Sequence, residues 1–569
     1  MSFFGKVFAK KAIASTDERH EPKEPIKPVV VSPSEAEKVA NDHDFVDTQL
    51  AQAIEAVARE EMRQKVAVRL PHAQMTDEQR DVVESTDPFL AVNAYAGAGK
   101  THTLKNFALA RSDEKLLYVC FNRSLAEEAK RKMPNNVRVG TIHAICFNEF
   151  ARHVYKDING KFSGKPTSAD IYEASDFIRL KLGLTEEGWK RFYFPKIIRL
   201  LEQFTNSDAL DLRQFLEKAF AEEIAHKRLE PFVVDAAIET WNLIADPRSK
   251  ITAWHDVYVK MWHLSNPSIS GGYQYILLDE AQDVSPVMYD IFLRQEHLTR
   301  VLVGDRHQCI YGFRGAMNAM QHAVDHGNAT EKYMTQSFRF GNEVALLASL
   351  ILQSWKKETR PVRGNPAIQD EVRKATTVFD LAPSEQSAYL ARTNGKLIDT
   401  AISLMEKKIP FQFLGEVKDY RLLMAKEVAF LKANKRDKLG TYLRKFKSYS
   451  DYKEQAERED DQEKQAICRL VEKYGKDLPQ LVESLERTVS KQGVVLTTAH
   501  KSKGAEWAEV MLADDFPSLI NLRNASKLNT ISDQEANLYY VAVTRAQRTL
   551  YVPNDCYQFY RAGKRVQGG

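Results

Sequence analysis

At 569 residues the chain exceeds what one hydrophobic core usually serves, so several compact units are expected. Apolar residues make up 43% and charged residues 28%, an ordinary soluble composition, and no run approaches the roughly 18 apolar residues of a membrane span, which excludes a membrane role. A net charge of +4 does not mark a nucleic-acid binder by itself, and five scattered cysteines without a C-x-x-C pair exclude a disulfide framework and a zinc site and imply a reducing compartment, cytoplasm or nucleus.

The chain begins with a flexible tail, 1–33. Met1 to Ala14 is basic and mildly apolar, but Lys6, Lys10 and Lys11 interrupt any signal-peptide core; the stretch is either a frayed terminus or a docking point for a protein partner. Pro22, Pro25, Pro28 and Pro33 among Lys and Glu favour extended chain. Ser34 and Glu37 form a capping-box signature that opens a helical segment, 34–69, with no visible chemistry.

From Phe89 the texture changes to short apolar runs followed by turns and helices: Phe89 to Ala94, Leu116 to Phe121, Tyr275 to Leu278, Val301 to Val303, Val494 to Thr498 and Thr549 to Val552. Buried parallel strands read this way, so the expected class is α/β with sheets covered on both faces. Two long polar, helical stretches, 146–252 and 416–490, read as insertions into α/β cores. The second holds Lys435, Arg436, Lys438, Arg444, Lys445 and Lys447 interleaved with Tyr442, Phe446 and Tyr449, then an acidic run from Glu454 to Glu463. That pattern suits either a duplex contact or a solvated helix paired with its acidic neighbour.

Ala94-Tyr-Ala-Gly-Ala-Gly-Lys-Thr101 follows the first strand and precedes a helix near Lys100, the context a P-loop needs. Ala96, Gly97, Ala98 and Gly99 wrap phosphate oxygens with backbone N–H groups, Lys100 reaches the β and γ phosphates, and Thr101 ligates Mg²⁺. Ala94 stands where the general pattern has its first Gly. Downstream, Asp279 and Glu280 end an apolar strand, where open α/β sheets bind ligands. Asp279 can hold Mg²⁺ through water, and Glu280 can orient and deprotonate the attacking water. The bland alternatives are a glycine turn and an acidic helix cap.

In order and content these segments resemble superfamily 1 helicases of the UvrD/Rep type, from about Thr76 to Arg548. Ala94–Thr101, Phe204-Thr-Asn-Ser207 and Thr498-Ala-His-Lys-Ser-Lys-Gly-Ala-Glu-Trp507 look most like the F-box DNA helicase branch, although no F-box is apparent upstream. The resemblance implies two RecA-like P-loop motor domains with parallel sheets, 70–145 with 253–325 and 326–415 with 491–569, each carrying a mainly helical insertion. It places Gln79 as the adenine-reading amide, Gln308 as the γ-phosphate sensor, Arg339 and Arg545 as arginines presented to the γ phosphate across the domain interface, Phe338 as the adenine-stacking ring and Glu506 near the ribose. His102 departs from the Arg that relatives carry there.

Contacts to DNA are implied at Phe121 and Asn122, at Thr141 and His143, at Tyr311, Phe313 and Arg314, and at His500. Aromatic faces stack on any base and Arg adds phosphate or cation–π contact, in accord with that placement. For either histidine alone, a satisfied structural role is the competing reading.

The expected protein is an ATP- and Mg²⁺-dependent helicase that walks 3′ to 5′ on single-stranded DNA and acts at single-strand/double-strand junctions. It would work in the cytoplasm, at the nucleoid of a bacterium or phage, or in the nucleus of a eukaryote. The alternatives are a translocase that strips bound proteins such as recombinase, and a nonmotor DNA-binding scaffold with a vestigial ATP site. With about 24 residues after Arg545, no appended nuclease is expected.

Overall fold

The computed structural model describes residues 75–224, 232–310, 317–459, 461–490, 492–519 and 533–567, all within one compact unit, Lys65–Gly569. The tail, the 34–69 segment and Tyr311, Phe313 and Arg314 lie outside the described residues.

Two six-stranded sheets organise the chain, and every strand pair in them is parallel. The first comprises β1 (Phe89–Ala94), β2 (Leu116–Cys120), β3 (Val137–Thr141), β4 (Tyr275–Asp279), β5 (Thr299–Gly304) and β6 (Thr330–Met334), in the order β3-β2-β4-β5-β1-β6. The second comprises β7 (Glu371–Lys374), β8 (Ser387–Ala391), β9 (Phe411–Phe413), β10 (Val494–Thr498), β11 (Trp507–Leu512) and β12 (Ala546–Val552), in the order β7-β12-β11-β8-β10-β9. Both are α/β sheets of the RecA-like type. Strands β1, β2, β4, β8 and β10 are buried along their whole length, which is why β1, β2, β4 and β10 read as short apolar runs; β8, Ser-Ala-Tyr-Leu-Ala, is not among the runs singled out.

The first sheet runs further than the expected boundary at 325/326. Strand β6 pairs with β1, Leu90 opposite Thr330 through Ala94 opposite Met334, so the first sheet closes only at Met334. Its sequence Thr-Glu-Lys-Tyr-Met has no apolar run, because an edge strand keeps one side in solvent.

All regular structure described between Ile142 and Leu264, and between Val417 and Thr488, is helical. Neither stretch forms a separate core. Helical residues such as Trp189, Leu201, Phe204 and Trp241 join one apolar cluster with Leu117, Ile276 and Leu302 of the first sheet. In the second sheet, strand alternation sends Ala388, Leu390, Val495, Val510 and Leu512 to one cluster, and Tyr389, Ala391, Val494, Leu496 and Met511 to the other, where Leu422, Val428, Val471 and Leu485 of the 416–490 stretch meet them. The insertion thus packs onto helix Asn394–Glu406, which covers that sheet face, and extends its apolar core.

The two halves are clasped by a buried carboxylate. Glu358, just beyond the helix Asn342–Lys356, accepts hydrogen bonds from the Arg306 guanidinium and, at 3.0 Å, lies against Nε2 of His307, both on the turn after β5. Burial alone would raise the Glu358 carboxyl, but His307 and Arg306 hold it well below the usual carboxylate range. The stabilisation is therefore complete above the unfolded-state value and fades as pH falls below it. Glu358→Gln is expected to cost about 3 kcal/mol at pH 7. Thermal melts at pH 7 and pH 3 check this: the gap between parent and variant should narrow at the lower pH, and an equal gap at both would exclude an ionic origin.

Candidate active site

Parallel pairing brings the C-terminal ends of β1, β4 and β5 to one edge, and each carries one part of the site. After β1 the chain turns through Gly97 (φ 76°) and Gly99 (φ 79°), left-handed conformations that favour glycine. The turn also leaves no room for a side chain. A Cβ on Gly97 would lie 2.5 Å from Ser337 Oγ and 2.8 Å from Arg339 Cβ, and one on Gly99 would lie 2.9 Å from Gln79 Nε2. Gly97 accepts at its carbonyl from the Phe338 N–H at 2.8 Å. Helix Lys100–Leu109 then starts with no side chain capping it, so its first-turn N–H groups and positive end carry no internal acceptor from a cap.

Lys100 Nζ stands 2.5 Å from Glu280 Oε1. Asp279, ending β4, receives the Tyr118 hydroxyl on one oxygen at 2.6 Å and the Glu280 N–H on the other at 2.9 Å. Glu280 adopts φ 52°, a strained conformation for a non-glycine residue, and Gln282 Nε2 donates to its Oε2 at 2.5 Å. Burial would raise both carboxyls. It prevails at Asp279, reinforced by the Glu280 charge, whereas Lys100 and Lys503 bring Glu280 down to about 2. Glu280 is thus held anionic beside a more readily protonated Asp279.

After β5, Asp305 accepts from the Gln308 amide at 2.8 Å. Opposite stand residues preceding or within the second sheet's layers. Arg339 donates through Nε to Glu506 at 2.5 Å and through a terminal nitrogen to the Thr544 carbonyl at 3.0 Å. Arg545 is buried, with Nε on the Val541 carbonyl at 2.9 Å and its terminal nitrogens on the Ala505 carbonyl and Thr544 Oγ1. Burial, then the Arg339 charge, disfavours its cationic form. An anion placed between the two guanidiniums would relieve that repulsion. Lys503 bridges Asp283 at 2.5 Å and the Gln308 carbonyl at 2.7 Å.

A cleft of about 790 Å³ collects Gly97, Ala98, Gly99, Lys100, Thr101, His102, Glu280, Gln308, Phe338, Arg339, Glu506 and Arg545 on its walls. Phe338 is 46% exposed there, an available stacking face, while His102 is tied back to Asn106 one helical turn on. The wall chemistry, an uncapped helix start with Lys100, then Lys503 and two arginines, fits a polyphosphate. Among the described residues no cluster of three or more His, Cys, Asp or Glu could hold a metal alone. Thr101 lines the cleft and suits Mg²⁺ arriving on phosphate oxygens, as this ion usually binds, whereas Asp279 is buried behind the wall with its two oxygens on the Tyr118 hydroxyl and the Glu280 N–H, so any role toward the ion would run through water.

Two expected contacts fall elsewhere. Gln79 is buried behind the P-loop, not in the cleft: its Nε2 donates to the Ala98 carbonyl at 3.1 Å and its Oε1 closes a capping box with the Thr76 N–H. Its amide braces the loop, so adenine reading would require breaking those bonds. Ala96 directs its N–H to the Tyr540 hydroxyl at 3.0 Å and is absent from the cleft wall.

Of the expected DNA residues, Phe121 is 38% exposed and shares the cleft wall with Asn122. Asn122 also caps helix Arg123–Lys132 by accepting from the Leu125 N–H, and Thr141 caps helix Ile142–Cys146 in the same way. His143 Nε2 lies 2.9 Å from Asp256 Oδ1 and edge-on to Tyr258. These polar groups have local structural partners. His500 lies in the turn after β10. In the 416–490 stretch, Arg436 donates to the carbonyls of Arg444, Phe446 and Lys447, and Phe446 is buried, so part of the basic-aromatic pattern folds its own loop.

Reading by motif passed over Tyr118, Gln282, Asp305, Lys503 and Tyr540, which hold the principal side chains. Lys503 lies inside Thr498–Trp507, a segment already singled out, and Tyr540 lies five positions before Arg545; nearness to those positions was the available signal. Tyr118 carries none, being one buried residue in a strand.

Residues 75–326 match the UvrD/REP helicase N-terminal domain. F-box DNA helicase 1 of Gallus gallus is 30% identical over 519 residues, 84% of this chain and 49% of that protein. F-box DNA helicase protein 1 of Schizosaccharomyces pombe is 28% identical over 519 residues, 85% of this chain and 58% of that protein. ATP-dependent DNA helicase PcrA of Staphylococcus epidermidis is 22% identical over 388 residues, 61% of this chain and 51% of that protein. The chain thus spans about half the length of these relatives. A P-loop and carboxylate pair on one parallel sheet, arginines facing them, and these similarities agree: residues 75–326 form a UvrD/REP helicase N-terminal domain, and the chain as a whole resembles helicases of that type.

Proposed function

We propose that the protein is a DNA-dependent ATPase that moves along single-stranded DNA from 3′ to 5′ and separates duplexes. The observation that carries the reading is the placement of Lys100 and Glu280 on one side of a single cleft with Arg339 and Arg545 on the other. A site divided this way makes hydrolysis depend on how the two sheets sit against each other, which is what converts turnover into movement.

Lys100 and Glu280 neutralise one another when no phosphate is present. A triphosphate entering the cleft competes for Lys100, and Glu280, kept anionic, is then free to orient and deprotonate water. Arg339 and Arg545 balance charge developing on the γ phosphate. Mg²⁺ on the substrate would add Lewis-acid stabilisation there, held by Thr101 and, through water, Asp279. The exposed ring of Phe121, close to the same cleft, offers a stacking face that domain closure would shift along a strand. Direction follows from resemblance to the family alone.

Strand displacement on duplexes bearing only a 3′ or only a 5′ tail tests this. Unwinding should start from the 3′ tail. Unwinding solely from the 5′ tail would reverse the polarity, and DNA-stimulated ATPase without unwinding would remove the helicase reading.

A further inference from the structure

Tyr540 lies on helix Asp533–Val543, five positions before Arg545, and is fully buried. Its hydroxyl accepts from the Ala96 N–H of the P-loop at 3.0 Å and donates to Asp305 Oδ2 at 3.0 Å. That same Asp305 oxygen receives the Gln308 amide at 2.8 Å. From Asp305 the chain of bonds continues: its N–H donates to Gln282 Oε1 at 3.1 Å, and Gln282 Nε2 donates to Glu280 at 2.5 Å. The His307 ring packs between Tyr540 and Tyr95, with centroids 5.9 and 5.7 Å away.

A buried tyrosine hydroxyl usually finds a hydrogen-bond partner, and one is enough. Both partners here belong to the first sheet's loops, although the ring belongs to the second sheet's helical layer. Phenylalanine would fill the same volume, so packing does not account for the oxygen. Burial and the nearby Asp305 carboxylate push the phenol well above its ordinary range, and it therefore remains a donor at any physiological pH.

We propose that Tyr540 is a positioning residue for ATP hydrolysis: its hydroxyl ties the P-loop and the Asp305–Gln308 pair to the helix that leads into Arg545. Docking of the second sheet then sets Gln308, Glu280 and the P-loop together. The proposal rests on the ATPase reading above. It assigns Tyr540 no contact with substrate.

The test is Tyr540→Phe in the full chain, with ATPase measured at saturating single-stranded DNA. The expected result is a kcat lower by about 10- to 100-fold, the scale of a small misplacement at a reacting centre, with the KM for ATP changed less than about threefold. Asp305→Asn should lower kcat similarly, and the double variant should lose no more than the worse single one, because both act through one bond. An unchanged kcat in Tyr540→Phe, a KM rise matching the kcat loss, or multiplying losses in the double variant would overturn the proposal. If Tyr540→Phe melts early, Asp305→Asn alone decides, and a parent-like kcat there overturns it. A parent chain without DNA-stimulated ATPase would sink the functional reading together with this one, whereas an active parent and an equally active Tyr540→Phe would sink only this one.

Discussion

Lys100→Ala should reduce DNA-stimulated ATP turnover by about 10³-fold or more, while binding to single-stranded DNA stays close to that of the parent. Lys100 is the one lysine at the start of the uncapped helix, and its removal takes away both a phosphate ligand and a charge balancing the transition state. It also removes the cation 2.5 Å from Glu280. Glu280 is held at about 2 largely by that ammonium against the effect of burial, so its carboxyl should rise in the variant. Turnover, fluorescence-anisotropy binding to a single-stranded oligonucleotide and a thermal melt together check the result. A variant that hydrolyses ATP at the parent rate would mean that the cleft is not the nucleotide site.

Arg339→Ala should lower kcat by about 10³-fold and leave ATP binding nearly intact, the behaviour of an arginine supplied across an interface. Arg339 serves this test better than Arg545. Its guanidinium reaches the cleft wall while held by Glu506 and the Thr544 carbonyl, whereas Arg545 is buried among carbonyls that truncation would leave unpaired. Loss of Arg339 also frees Glu506, which retains the Gln547 amide at 2.9 Å. Equilibrium binding of a fluorescent ATP analogue, set beside steady-state turnover, separates the two effects. An Arg339→Ala protein with parent kcat would place the arginine outside the reaction, and one that no longer binds nucleotide would make it a ligand rather than a responder to closure.

Several side chains of the candidate site were legible from short segments because their conformation is set locally. The P-loop needs left-handed backbone at Gly97 and Gly99, and a buried parallel strand before it needs consecutive apolar residues; both leave marks within eight or so positions. Asp279 and Glu280 were legible for the same reason, as carboxylates ending the buried strand Tyr275–Asp279. Strand β6 was not, since an edge position permits Thr, Glu and Lys to face solvent and erases the apolar run. Gln79 shows the limit from the other side: its type suits an adenine contact, yet its neighbours direct the amide to Thr76 and Ala98.

From the amino-acid order alone follow the α/β class, the glycine-rich turn between strand and helix, the carboxylates at a strand end and the order of motifs that resembles the UvrD/Rep type, because each is a property of contiguous residues. Tertiary structure alone decided that Tyr540 reaches Ala96, 444 positions away, that Lys503 joins Asp283 across 220, and that the helical stretches share cores with the sheets. Such partners are chosen by strand order and by which sheet face a helix covers. A hydrogen bond acts over about 3 Å, whereas the chain segments that supply its two ends come together only once both parallel sheets have closed.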